Sequence, residues 1–175
     1  MQDKLSKIKI VCFDCDGVLT DGKITYLQTE NNAILEQKSF SAKDGMGVMM
    51  LHRAGLITAV ITGRSSEVLK RRCADLNIRH LYQNIDSKGQ KMQELLNELK
   101  LDWENLAYIG DDWNDYPVLS RAGFAATPND GDEAIKPYVD FIAKKEGGKG
   151  AVREIIDIIL DAQGLYEKAI EKFTI

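Results

Sequence analysis

Two aspartates one residue apart, Asp14 and Asp16, stand directly after the apolar run Ile10-Val-Cys-Phe13 and are followed by Gly17. In open α/β sheets, ligands gather in the crevice at the carboxyl ends of the strands. Carboxylates at that point face the chemistry, and the glycine lets the backbone turn sharply. A second run, Tyr108-Ile-Gly-Asp-Asp-Trp-Asn-Asp115, again drives apolar residues into carboxylates, here Asp111, Asp112 and Asp115. Parallel strands aim both clusters at one edge of a sheet, where like charges at close range repel strongly. A bound divalent cation resolves that conflict, and an oxygen-only donor set favours a hard ion such as Mg²⁺. Thr62, in Val60-Ile-Thr-Gly-Arg64, ends a further apolar run and offers a hydroxyl beside the carboxylates. Lys88 opens a helical pattern after Asp86 and Ser87. That is an unusual place for a cation, because the helix dipole is positive there. Each feature alone reads as an acidic turn or a solvated lysine; together, at strand ends, they converge.

The elements that must position these groups follow from periodicity. Short apolar runs predict strands over 8–13, 57–61, 78–82, 106–109, 124–126 and 139–143. Helical spacing covers 87–100, where Met92, Leu95, Leu96 and Leu99 fall on one face. It also covers 65–76, opened by serines with Glu67 in the first turn, and 151–163, which stops at Gly164. Strands alternating with helices predict an α/β fold, a three-layer sandwich around a central parallel sheet. Residues 24–40 differ: two apolar segments flank Glu30-Asn-Asn32, which predicts a β-hairpin. No linker, repeat or low-complexity tract divides the 175 residues, so one domain is expected.

Acidic residues outnumber basic ones, 27 to 23, for a net charge of −4. That balance disfavours a nucleic-acid or anionic-membrane partner, which needs a basic face. Nor does any apolar run approach the roughly 20 residues that span a bilayer. The first ten residues have no secretory apolar core, and the three cysteines form no disulfide framework. A cytoplasmic protein is expected. Cys12-Phe-Asp-Cys15 has redox spacing, but Cys12 lies within a strand and Cys15 sits between two aspartates, so both read as small buried hydrophobes. Gly147-Gly-Lys-Gly150 lacks the hydroxyl residue of a P-loop and reads as a flexible loop near a helix N-terminus. His52 and His80 stand alone on a predicted helix and strand and read as structural.

Taken in order, Asp14-Cys-Asp16, Thr62, Lys88 and Gly110-Asp-Asp-Trp-Asn-Asp115 resemble the four motifs of the haloacid dehalogenase superfamily of phosphotransferases. More closely, Asp16-Gly-Val-Leu-Thr-Asp-Gly22, Lys43-Asp-Gly45, Thr62-Gly-Arg64, His80-Leu-Tyr-Gln83 and Gly147-Gly-Lys-Gly-Ala-Val-Arg-Glu154 are similar to stretches of the 3-deoxy-D-manno-octulosonate 8-phosphate (KDO 8-phosphate) phosphatases. The resemblance runs from about residue 8 to residue 164. It implies a Rossmann-like core with a small hairpin after the first strand and no large cap domain. It implies Asp14 as nucleophile, forming an aspartyl-phosphate, and Asp16 as the acid and then the base. Mg²⁺ would be held by Asp14, the backbone carbonyl of Asp16, and Asp111. Thr62 and Lys88 would grip the phosphoryl oxygens, and Asn114 lies in the same loop. The substrate contacts it implies are Asp16, Ser41, Lys43, Asp44, Gly45, Arg64, Arg72 and Lys88.

The substrate it implies is a small sugar acid phosphate of lipopolysaccharide synthesis. With no room for a cap, a lone subunit would have an open site. The resembled family is a homotetramer whose hairpins and C-terminal tails reach neighbouring sites, and residues 164–175 are expected to act as such a tail. Lys43 stands where that family usually has arginine, and it offers a point charge instead of a planar fork. A nine-carbon 2-keto acid 9-phosphate is therefore the alternative substrate. A catalytically inactive assembly module is a further alternative, against which Asp14 and Asp16 are both retained.

Overall fold

The computed structural model of the chain describes residues 1–171. After a short helix α1 (Gln2–Leu5), the first apolar run forms β1 (Ile10–Phe13), and β2 (Thr25–Gln28) and β3 (Ile34–Gln37) make the hairpin. Then come α2 (Ala42–Ala54), β4 (Ile57–Ile61), α3 (Glu67–Asp75), β5 (His80–Tyr82) and α4 (Lys88–Leu99). The chain continues through β6 (Leu106–Ile109), α5 (Tyr116–Leu119), β7 (Phe124–Thr127), β8 (Phe141–Ile142), α6 (Ala151–Ala162) and α7 (Tyr166–Ile170).

Six strands pair in the order β5-β4-β1-β6-β7-β8, all parallel, and the hairpin is a separate two-stranded sheet. Alternation within β1 explains its unbroken apolar sequence. Val11 and Phe13 pack toward α2 and α6, whereas Ile10 and Cys12 pack toward α4. A strand covered on both faces has no polar side to show. Register then places the chemistry. Phe13 is level with Val60 of β4 and Ile109 of β6. Asp14, Thr62 and Asp111, which lie just beyond these residues, therefore emerge at one edge.

The strands predicted over 8–13, 78–82 and 139–143 are each shorter than their apolar runs, because pairing ends where neighbouring backbone ends. The sequence does not delimit α2, since Gly45 and Gly47 interrupt its apolar stripe. Both glycines allow close approach: a Cβ at Gly45 would lie 2.3 Å from Arg72 Nη2, and one at Gly47 3.0 Å from Ile156 Cδ1. Ser41 caps α2 by accepting from the Asp44 amide at 3.3 Å. Asp44 in turn accepts from the Gly150 and Arg153 amides at 3.2 and 2.8 Å, capping α6, whose own N-cap, Gly150, has no side chain to do so.

Between β1 and the hairpin the chain makes one wide turn, Cys15–Leu19, in which Gly17 has φ +89°. The loop Gly147-Gly148 braces it: a Cβ on Gly147 would fall 1.8 Å from the Gly17 carbonyl oxygen, and the Gly148 amide donates to the Val18 carbonyl at 3.0 Å. The loop predicted to be flexible is therefore a packed support. Residues of α7 dock on the chain's own core, with Ala169 fully buried and Lys168 Nζ donating to the Ala54 carbonyl at 3.4 Å. Positions 172–175 of the expected tail lie outside the described residues. No helix among the described residues is long and apolar enough to cross a membrane.

Candidate active site

Three buried side chains anchor the site. Lys88 Nζ lies 2.8 Å from Asp14 Oδ1 and 2.7 Å from Asp115 Oδ1. Its ammonium is carried by the first turn of α4, against the sense of the helix dipole, and only two carboxylates at this range can hold it there. Asp115 is the hub. Its Oδ1 also accepts from the Tyr108 hydroxyl, and its Oδ2 accepts from the Asp111 amide at 3.0 Å and the Asp112 amide at 3.4 Å. The carboxylate thus has every oxygen engaged and shapes the loop that presents Asp111. Gly110 makes that loop possible, since a Cβ there would lie 2.5 Å from the Asp115 carboxyl carbon.

Asp14 and Asp111 are left in the opposite condition. Asp14 Oδ1 has only the Lys88 ammonium, at 2.8 Å, and Asp111 Oδ1 is buried with no partner among the described residues. Burial, and then the charge of Asp115, push the Asp14 carboxyl up to about 7, with Lys88 opposing. Burial and the charges of Asp115 and Asp14 push Asp111 up to about 8. Oxygens of Asp14, Asp111 and Asp115 all lie within 4.8 Å of one another. Three carboxylates this close and this dry cannot all ionise without a cation besides Lys88. The donor set is oxygen only and suits a hard divalent ion. Of the three, Asp115 is already saturated by Lys88, Tyr108 and two amides, so the less engaged donor atoms belong to Asp14 and Asp111. The Asp111 carboxylate also sits over Gly17, where a Cβ would be 1.9 Å from its Oδ2, so the backbone following Asp16 closes the same space.

Asp16 is held from the hairpin side. Lys38 Nζ, whose side chain is 2% exposed, pairs with Asp16 Oδ1 and lies 3.6 Å from Glu36 Oε1. Arg64 Nε is 3.6 Å from Asp16 Oδ2, and Arg64 Nη2 donates to Glu36 at 3.1 Å. Neither Lys38 nor Glu36 stands out in the sequence. Lys38 reaches a partner 22 residues away across an open hairpin, and no spacing rule signals that contact.

The structure brings Asp14, Asp16, Thr62, Lys88, Asp111 and Arg64 to one edge. Buried Thr62 accepts from the Arg64 amide at 3.3 Å through its hydroxyl. A second group gathers at the start of α2. There Arg72 donates to the Ser41 carbonyl at 3.2 Å, lies over the Phe40 ring and packs on Gly45. Lys43 and Asn114 are exposed. Asp44, expected among the substrate contacts, instead has its carboxylate engaged by the α6 amides. Cys12 and Cys15 are buried, free, and pushed up by that burial, so they behave as packing groups.

A family model of haloacid dehalogenase-like hydrolases matches residues 75–156. The 3-deoxy-D-manno-octulosonate 8-phosphate phosphatase KdsC of Escherichia coli (strain K12) is 37% identical over 166 residues, 95% of this chain and 86% of its own length. The phosphatase of that name from Moraxella catarrhalis, solved with magnesium ion, phosphate ion and KDO, superimposes with a TM-score of 0.92 at 38% identity, over 98% of this chain and 97% of its own. A cobalt-bound deoxy-D-mannose-octulosonate 8-phosphate phosphatase of Haemophilus influenzae gives 0.86 at 40% identity, over 94% of each chain.

The raised carboxyls fix a pH dependence. Ordinary aspartates lose their proton near pH ~4, whereas Asp14 and Asp111 keep theirs to about 7 and about 8. Between those limits the folded chain binds more protons than the unfolded one, so metal-free stability falls as pH rises. Mg²⁺ competes with the same protons. Its apparent affinity will rise from about pH 6 to about pH 8, with proton release measurable by calorimetry in buffers of differing ionisation enthalpy. Equal affinity at both pH values, without proton release, would contradict the assignment.

Proposed function

The chain belongs to the 3-deoxy-D-manno-octulosonate 8-phosphate phosphatases, among the haloacid dehalogenase-like hydrolases, and on that footing we propose how its own residues share the work. It is a Mg²⁺-dependent phosphatase that cleaves 3-deoxy-D-manno-octulosonate 8-phosphate to KDO and phosphate, a step in lipopolysaccharide sugar synthesis. The observation that carries the division of labour is the contrast at the sheet edge. Asp115 is saturated, while Asp14 has the Lys88 ammonium on one oxygen and Asp111 keeps a buried oxygen with no partner among the described residues.

Asp14 is the nucleophile: its carboxylate oxygen bonds to phosphorus as the bond to the sugar's 8-oxygen breaks, giving an aspartyl-phosphate. Asp16 donates its proton to the departing alkoxide, then takes one from the water that attacks the aspartyl-phosphate and regenerates Asp14. Lys38 and Arg64, ion-paired to opposite oxygens of Asp16, aim it at the leaving group. Thr62 donates its hydroxyl, and Lys88 its ammonium, to the phosphoryl oxygens. Asp14, Asp111 and the carbonyl of Asp16 hold Mg²⁺, which when bound supplies the positive charge that lets a carboxylate approach a phosphate dianion.

The sugar contacts are Arg64, Arg72, Ser41, Lys43, Gly45 and Asn114. Asp44 acts at one remove, fixing the start of α2 through its α6 amides. A homotetramer completes the site. Tyr26 and Glu36 of the hairpin face Arg64, whereas the cross-strand pair Leu27 and Leu35 lies on the other face, about half exposed. A neighbouring subunit that covers this pair closes the sites against water. The three free cysteines fit a reducing, cytoplasmic setting.

Asp14→Asn will lower phosphate release by at least about 10³-fold, and chelation will abolish it in the wild type. The eight-carbon substrate will give a higher kcat/KM than a nine-carbon 2-keto acid 9-phosphate. Chelator-insensitive turnover or an active Asp14→Asn enzyme would overturn the mechanism, and a nine-carbon preference would overturn only the substrate. The double variant Leu27→Glu with Leu35→Glu will sediment as a smaller species with reduced kcat/KM. A fully active monomer would contradict the shared site.

A further inference from the structure

At the opposite end of the sheet lies an open cleft of about 540 Å³, lined by residues that catalysis does not use. That volume is within the range of small-ligand pockets. Its walls come from the C-terminal end of α2, the start of β4, the turn after α3 and the start of β5. Strand rise of ~3.3 Å per residue puts Thr58 in this cleft roughly 13 Å from Thr62 at the catalytic edge.

Charge and chemistry single it out. Although 27 of 175 residues are acidic, none of those described lines this cleft. The chain has two histidines, and both stand here, His52 and His80, with Arg79 and Asn77 beside them. Arg79 is exposed and has no hydrogen bond or ion pair among the described residues. His52 is fixed by a 2.6 Å hydrogen bond between Nε2 and the Thr58 hydroxyl. Burial, and then the Arg79 charge, hold its imidazole below the usual histidine range. Leu56 gives the cleft an apolar wall. A guanidinium without a partner or competing carboxylate among the described residues, beside imidazole and amide donors, matches a tetrahedral oxyanion.

We propose that this cleft is a second anion site, binding a phosphate group, free or on a small organic molecule, against Arg79 with His52, His80 and Asn77 around it. It is separate from the catalytic edge and does not depend on the assigned reaction.

Because the chain's histidines both line the cleft, their imidazole carbon-bound proton resonances report on it alone. The protein without Mg²⁺, at pH 7 and constant ionic strength, is titrated with inorganic phosphate and separately with phenylphosphonate, which cannot be hydrolysed. Both resonances will shift saturably with at least one probe, and the tighter one distinguishes free phosphate from phosphate on an organic group. The indole resonance of Trp113 monitors the catalytic end. Arg79→Gln will abolish the saturable histidine shifts while retaining phosphatase activity and the Trp113 resonance. Absence of saturation with both probes, or an unchanged titration in Arg79→Gln, would overturn the proposal.

Discussion

The molecule is organised around the problem of holding several carboxylates and one ammonium in a place with almost no water. Lys88 is 2% exposed, Asp14 5% and Asp115 fully buried. Removing one member of such a set costs about 3–5 kcal/mol, because its partners are left charged and dry. The set persists because each group answers another. Lys88 bridges Asp14 and Asp115, while Tyr108 and two backbone amides complete Asp115. The least compensated carboxylates are Asp14, with Lys88 on one oxygen, and Asp111, with a buried oxygen lacking a partner among the described residues; the proposed mechanism brings a cation and a phosphate there.

Much of the fold serves to keep that imbalance in place. Parallel register brings the ends of β1, β4 and β6 level, so that three loops deliver their groups to one point. Glycines without room for a Cβ let the loops meet: Gly17 under Asp111, Gly110 against Asp115, and Gly147 against the Gly17 carbonyl. The hairpin contributes from outside the sheet, bringing Lys38 to Asp16 with Glu36 beside it. Its strands are largely exposed, as a separate two-stranded sheet must be when no other described element packs over it.

The central sheet, the hairpin and the convergence of the carboxylates were legible in the sequence, since apolar runs ending in aspartates carry both fold and function in one signal. Three things were not. Lys38 gives no pattern because its partner is distant in sequence and reached only through the hairpin. Asp44 sits in a stretch that resembles a substrate loop, but the α6 amides compete for its carboxylate and hold it. The histidines looked isolated, because only the pairing of β5 with β4 brings His80 beside the end of α2. In each case the missing information is a long-range contact that local periodicity does not encode.

The central claim is a division among acids: Asp115 belongs to Lys88, and Asp14 with Asp111 belongs to the cation. It is tested most directly by a crystal structure of the protein with Mn²⁺ in place of Mg²⁺, the ion located by its anomalous scattering. The account predicts ion density against carboxylate oxygens of Asp14 and Asp111, with Lys88 and Tyr108 still bound to Asp115. An ion ligated by Asp115, with Lys88 displaced from it, would contradict the account.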